Sequence, residues 1–349
     1  MDRLQVWLAI LGALVLAGVV AHGAWSSRRN APRQAAGEDA PRPDAPQDPV
    51  MAMRREPTLD AAADVVDLPP VPSPEKKPAL DALIDVIAPI SIDGEVSGEA
   101  AQAAMPPTRR AGSKPFAVEG SNALTGAWEF PLPGRRYTAF QAGVQLANRI
   151  GALNEIEYSE FVVKAQAFAD AIGGTPEFPE MLEEVARARE LDQFASAHDA
   201  QLSFDLRAAS AAWSPGYVQQ SAARMGFVPG VIPGRLVLPA SEEGAPPVLG
   251  LTFDTQAAMA DDPAQSALRL ITLSLDVPQV PREEQPYARM REVLITLSAA
   301  MDGVITDGNG QRIEMDALDG IGSELEQLYD TLDQRELSAG SHLARRLFS

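Results

Sequence analysis

Residues 6–24 form a nearly unbroken apolar run, which passes at once into Ser26-Ser27-Arg28-Arg29 and then into a proline-rich tract. A helix rises 1.5 Å per residue, so crossing a hydrocarbon core of about 30 Å takes roughly 20 apolar residues. The run supplies about nineteen, counting His22, which lies near enough to its end to reach the headgroups. The pattern predicts a single membrane-spanning anchor with a basic collar over residues 1–29. Met1-Asp2-Arg3 carries almost no net positive charge, whereas Arg28, Arg29 and Arg33 cluster on the far side. Positive loops stay in the cytoplasm, so the short N-terminus is expected outside and the rest of the chain inside. A cleaved signal peptide is the rival reading. Ala21-His22-Gly23-Ala24 offers small residues at cleavage spacing, and export would make the remainder a periplasmic binding or assembly factor.

Residues 30–79 contain eleven prolines and no aromatic residue. Such a stretch buries too little apolar surface to offset the entropy of ordering, and proline bias toward polyproline II makes it a semi-extended spacer. A disordered linker is therefore expected here. Order is expected to resume at Leu80.

The whole chain has 349 residues, 48 acidic against 29 basic, for a formal charge of −19. A surface of that sign repels nucleic-acid phosphate, so no nucleic-acid partner is expected. There is no cysteine, which removes disulfides, thiolate metal sites and cysteine nucleophiles.

Apolar periodicity places strands near 83–90, 114–119, 127–130 and 143–150. A short helix is expected near 96–105 and longer ones at 159–171 and 179–197, with Gly173-Gly174 breaking the pattern between them. A second pass starts at Gln201. Strands are expected at 202–206, 235–238, 248–253 and 268–277. Helices are expected at 217–225, introduced by Ser214-Pro215, and at 287–301 and 316–336. The two passes share one order of elements, and Met105 with Met225, Tyr158 with Tyr287 and Gly173 with Gly303 recur at spacings of 120 to 130. Two tandem α+β units are therefore expected, over 80–200 and 201–337, followed by a flexible tail over 338–349.

Nothing in the residues points to catalysis. Of three histidines, His22 lies in the apolar run and His342 in the tail, which leaves His198 alone in a folded region. No histidine pair can share a metal, no Gly-x-Ser-x-Gly elbow occurs and no phosphate-cradling Gly-x-x-x-x-Gly-Lys loop is present. Asp307-Gly308-Asn309-Gly310 fails as a calcium loop, because position six is Arg312 and position twelve is Leu318; a glycine-rich turn is the better account. No enzyme activity, cofactor, metal or small-molecule substrate is expected.

Several segments, in order, resemble the bacterial cell-division protein family ZipA. These are Val19-Val20-Ala21-His22-Gly23-Ala24-Trp25-Ser26-Ser27-Arg28-Arg29 beside the anchor and Gln219-Gln220-Ser221-Ala222-Ala223-Arg224-Met225-Gly226-Phe227 in a helix and its exit. Leu270-Ile271-Thr272-Leu273-Ser274-Leu275-Asp276-Val277-Pro278 is similar to a core strand, and Met301-Asp302-Gly303-Val304-Ile305-Thr306-Asp307 to the stretch after the family's second helix. The resemblance covers the anchor, the linker and 201–337; it leaves 80–200 as a diverged copy.

What it implies is an α+β fold: one transmembrane helix, a disordered linker and two α/β-sandwich units, each an open antiparallel sheet with helices on one face. It also implies a non-catalytic adaptor that binds the C-terminal peptide of FtsZ and tethers the division ring to the bilayer of the bacterial inner membrane, its C-terminal domain cytoplasmic. The peptide groove implied by the resemblance falls on Leu202, Ile232, Thr252, Thr272 and Ser274. The family carries a phenylalanine at the position of Ser274, so this groove is more polar than the family's and expected to hold an apolar peptide less firmly. Gln145, Ala147 and Arg149 of the first copy offer an alternative groove. The alternative function keeps the adaptor but changes the partner to another envelope or division protein.

Overall fold

The structure, a computed structural model, describes residues 80–260 and 266–349. The expected anchor and linker lie outside the described residues. Among the described residues no helix is long and apolar enough to cross a membrane. The longest, Met315–Gln334, is studded with Asp316, Asp319, Glu324, Glu326, Asp330 and Asp333, a charge load that hydrocarbon does not accept. The expected fold class is corrected accordingly: the described residues form an α+β fold built on two antiparallel sheets, and no spanning helix is among them.

The first sheet is made mainly by β1 (Asp85–Ile92), with the short strands β2 (Val96–Ser97) and β3 (Arg110–Ala111). It continues through β4 (Lys114–Asn122), β5 (Trp128–Glu129) and β6 (Arg136–Gln145). A small hairpin, β7 (Ala147–Asn148) with β8 (Gly151–Ala152), follows, and β9 (Gly174–Pro176) closes the far edge. The spatial order is β3-β4-β6-β1-β9, every pairing antiparallel. Helix α1 (Gly98–Ala104) and the longer α2 (Glu155–Ile172) and α3 (Met181–His198) complete this half. Alternation along β1 and β6 turns Val86, Ala88, Ile90, Phe140, Ala142 and Val144 into one core with Phe161 and Phe168 of α2.

The second sheet has the order β11-β12-β13-β14-β10-β15, again antiparallel. Its strands are β10 (Gln201–Ala208), β11 (Val228–Pro229), β12 (Arg235–Leu238), β13 (Leu249–Thr252), β14 (Leu270–Asp276) and β15 (Gly303–Thr306). Its helices are α4 (Pro215–Ala223), a single turn α5 (Thr255–Ala258), α6 (Pro286–Met301) and α7 (Met315–Gln334). In both sheets the opening strand is flanked by the strand that precedes the long helix and the short strand that follows it: β6-β1-β9 in one, β14-β10-β15 in the other.

Local chemistry sets the helix ends. Asn154 caps α2, its side chain accepting from the backbone of Ile156 and Glu157, while Glu157 reaches back to the Asn154 N–H; Gly173 ends the helix in the left-handed region at φ 69°. Glu157 also accepts from the Ser113 N–H and hydroxyl at 2.8 and 2.6 Å, so the cap is tied to the turn before β4. Asn154→Ala is expected to lower unfolding free energy by about 1 kcal/mol. A urea titration showing no shift in midpoint would sink that assignment.

Residues 338–349, expected to be a flexible tail, are folded. Ser341 caps α8 (His342–Leu347), and Ala344, Leu347 and Phe348 are buried in the core of the second unit. Pairing of an apolar Leu347-Phe348 end with a formed cap explains the order. Helix α8 also joins the two halves: Arg346 grips the buried Asp85 of β1 through both guanidinium Nη atoms at 2.9 and 2.5 Å.

Candidate functional site

Register decides which groove residues can meet. Leu202 stands opposite Leu275, Phe204 opposite Leu273 and Leu206 opposite Ile271. Directly opposed residues of an antiparallel pair share a face. That face is the covered one, packed under α4, α6 and α7 by residues such as Val218, Met290, Val293, Leu294 and Leu332. Leu202 therefore points into the core side and is no part of an open groove. The strand alternates as expected, but the groove side is the other one.

The opposite face carries Ser203, Asp205 and Arg207 of β10, Thr272 and Ser274 of β14, and Thr252 of β13. Thr252 is the direct partner of Thr272, and Ser274 of Gly250. Three of the groove residues read from the sequence, Thr252, Thr272 and Ser274, are thus brought together and are half-buried. Ser274 donates from its hydroxyl to the Gly250 carbonyl at 3.3 Å, and a Cβ at Gly250 would come within 2.8 Å of that hydroxyl. The glycine leaves room for that hydroxyl. Thr272 donates to Asp205 at 2.7 Å, and Arg207 reaches both Asp205 at 3.6 Å and the Thr306 hydroxyl at 3.3 Å. These side chains satisfy one another, so this end of the face is a closed polar network rather than an apolar trough.

The apolar end lies at the β12 edge. Arg235 opposes Thr252 and Val237 opposes Gly250, which places both on the open face. They also line a cleft of about 630 Å³ between the turn at 230–234 and the loop at 239–247, with Val231, Ile232, Pro239 and Pro247 in its walls. Val231 is fully exposed, and Ile232 and Val228 are 54 % and 43 % exposed. Ile232, the fourth groove residue, therefore sits on the rim of a cleft whose wall residue Arg235 pairs with Thr252, itself the partner of Thr272. Sequence reasoning missed Val231 and Val237. The signal available was the Val231-Ile232 pair inside a Pro229-Gly230…Pro233-Gly234 frame, an apolar pair held on a turn.

The alternative groove of the first half is not open, because two of its three residues are buried. Gln145 is buried, and its amide donates to the carbonyls of Ala147 and Arg346 at 2.6 and 2.9 Å. Ala147 is buried as well. Arg149 is clamped between Asp199 and Asp276, with contacts of 2.6 to 2.8 Å, and those carboxylates hold its guanidinium even more firmly protonated than usual. All three residues belong to the seam between the two halves.

Other chemistry-bearing groups are committed to structure. The His198 ring stacks on Phe194 and its Nδ1 donates to the Phe194 carbonyl at 2.7 Å, capping the end of α3. Lys114, buried, donates to Asn148 and to the Gly151 carbonyl; burial pushes its ammonium pKa down. Asp307 accepts from the N–H groups of Asn309 and Gln311, and Gly310 adopts φ 81°, a turn after β15. Among the described residues no group of three or more His, Asp or Glu side chains could hold a metal ion.

No protein-family model matches the chain and no curated protein matches it. Among solved structures, berberine bridge enzyme from Eschscholzia californica aligns at 11 % identity and a TM-score of 0.15, over 75 % of this chain and 53 % of that one. The chain thus spans about half the length of that structure, and a similarity so low carries no argument about fold or activity.

Proposed function

We propose that this protein is a non-catalytic adaptor whose second sheet receives a peptide segment on its open face, with the C-terminal peptide of FtsZ as the partner and the cytoplasmic side of the bacterial inner membrane as the place of action. The observation that carries the reading is the continuity of an uncovered sheet face with an apolar cleft at its edge: Val231, Ile232 and Val237 beside Thr252 and Thr272. The resemblance of 219–227, 270–278 and 301–307 to ZipA supplies the partner.

Peptide recognition of this kind draws most of its affinity from a few buried apolar side chains. Here the anchoring end is the Val231-Ile232 cleft, and the Thr272-Asp205-Arg207 network, bonded within itself, bounds the peptide's path along the sheet. Each large apolar side chain buried contributes roughly 1.5–3 kcal/mol, from which the entropy of association is subtracted.

A labelled FtsZ C-terminal peptide titrated into the whole chain is expected to bind saturably. Ile232→Asp and Thr272→Arg should each weaken it by about tenfold or more, whereas a charge placed on the covered side tests folding rather than binding. The two halves share a seam, so the intact chain is the proper reagent. Absence of binding at high micromolar peptide rules out this partner; binding unaffected by both substitutions rules out this face.

A further inference from the structure

The first sheet also has a face turned away from its core. Directly opposed residues share a face, so the pairs Ala117–Gly143, Glu119–Gln141 and Ser121–Ala139 of β4 and β6 stand together with Ile87 and Pro89 of β1. Val86, Ala88, Phe140 and Val144 point the other way, into the core. Ile87, Pro89, Ala117 and Ala139 belong to neither core, and Ile87, Ala117 and Ala139 are half-buried. Most side chains of this face are small, and its polar pair is bonded internally, Gln141 donating to Glu119 at 2.9 Å.

Leu80, where the described residues begin, lies on this face. Its side chain fills the space over Gly143, where a Cβ would stand 2.5 Å from the leucine Cδ2. Leu80 is buried, yet it belongs to neither core. Its N–H donates to the Glu119 carboxylate at 3.3 Å, so Leu80 touches both β4 and β6. A turn closed by the Asp81 carbonyl, which accepts from the Ile84 and Asp85 N–H groups, then carries the chain into β1. The Leu80 nitrogen is joined to the carbonyl carbon of Ala79 at about 1.33 Å. The preceding segment therefore arrives on this face.

We propose that the occupant of this face is the chain's own segment 69–79, Pro69-Pro70-Val71-Pro72-Ser73-Pro74-Glu75-Lys76-Lys77-Pro78-Ala79, docked in extended form and continuing the contact that Leu80 begins. Five of these eleven residues are proline, which has no backbone N–H to satisfy. That suits a face of small side chains whose polar pair is already bonded. Proline also presets φ, which lowers the entropy lost on docking. Polyproline II rises about 3.1 Å per residue, so four residues cover the roughly 10 Å from β6 across β4 to β3. Eleven are ample. Docking fixes where the chain leaves the folded body and keeps this segment off the open face of the second sheet. The inference does not rest on the peptide reading of that second face.

The chain has no cysteine, so a pair of spin labels can be placed without removing any residue of its own kind. Ser73→Cys labels the segment and Ala167→Cys an exposed position of α2; double electron–electron resonance on the full chain reads the distance between them. A free coil of seven residues beyond Leu80 has an r.m.s. extension of about 15 Å and gives a broad distribution. The docked segment is expected to give one narrow population instead. Ala117→Lys combined with Ala139→Lys, which charges the face, should abolish that population, with circular dichroism checking that the fold is kept. Pro74→Glu combined with Pro78→Glu should do the same while leaving every described residue unchanged. Ile232→Asp, on the other sheet, should alter nothing. A broad distribution in the otherwise natural chain overturns the proposal, as does a narrow population that survives both paired variants or that Ile232→Asp removes.

Discussion

Replacing Arg346 with alanine should cost about 3–5 kcal/mol of stability at neutral pH, the expected penalty for removing one partner of a buried ion pair. The Asp85 side chain has no exposed surface and Arg346 is 19 % exposed. The carboxylate takes both guanidinium Nη donors and the Asp81 N–H at 2.8 Å. Without Arg346 the chain keeps a buried charge with one backbone donor. Desolvation already holds the Asp85 carboxyl above its ordinary 3.8, with Arg346 opposing that rise.

The sign of the pH dependence follows. A carboxyl with a raised pKa binds its proton more tightly in the folded state, so its contribution is fully present below about 3.8 and is lost as pH rises through the folded value. In Arg346→Ala the folded value climbs further, so protonation relieves the buried charge at a higher pH. The stability gap between the variant and the natural protein should therefore be largest near neutrality and narrow as pH falls. Urea denaturation at neutral and acidic pH measures it. Adding Asp85→Asn to the variant should recover part of the loss at neutral pH. A gap under about 1 kcal/mol, or one independent of pH, would show that Asp85 is not the buried charge described.

Trp213→Ala should cost a similar amount, about 3–5 kcal/mol. Trp213 has no exposed surface and is the largest fully buried side chain of the described residues. It packs in the core that joins β10, β14, α4 and α6, and its indole N–H donates to the carbonyl of Met301, the last residue of α6, at 2.8 Å. Its own backbone pairs with Leu268 in both directions at 2.8 Å. Truncation leaves a large cavity and an unpaired carbonyl together. Trp213→Phe fills most of the cavity and should fall clearly short of the alanine loss; equal losses in the two variants would mean the hydrogen bond matters more than the volume. Chemical denaturation followed by circular dichroism separates these outcomes without relying on the indole as reporter.

Much of the secondary structure was legible because it rests on neighbours in sequence. Ser214-Pro215 marks the start of α4, with Ser214 accepting from the Tyr217 N–H, and β12 occupies the four residues its apolar pattern indicates. Gly173 ends α2 where the broken pattern placed a stop. The longest strand, Arg136–Gln145, was read only from Gly143 onward. Its first half, Arg-Tyr-Thr-Ala-Phe-Gln, alternates, but the turn residues before it drew the boundary too late. Strands β9 and β15 are short edge pieces and take their extended form from pairing with β1 and β10 rather than from their own residues.

Of the groove, alternation along 270–276 separated Thr272 and Ser274 from Ile271, Leu273 and Leu275 correctly, since a period of two is a property of the strand itself. Which side α6 and α7 would cover is not such a property, and Leu202 was assigned to the wrong side for that reason. The seam was illegible: Asp85 and Arg346 are 261 residues apart, and Arg149 meets Asp276 across 127. Nothing local marks such pairs.

By itself, then, the sequence determined the periods, caps and breaks, because these depend on residues within a few positions of one another. Only the tertiary structure decided which sheet face stays open and that the last twelve residues lock onto the first strand. Those outcomes depend on which surfaces meet when distant segments pack, and burial then fixes what each polar group costs or offers.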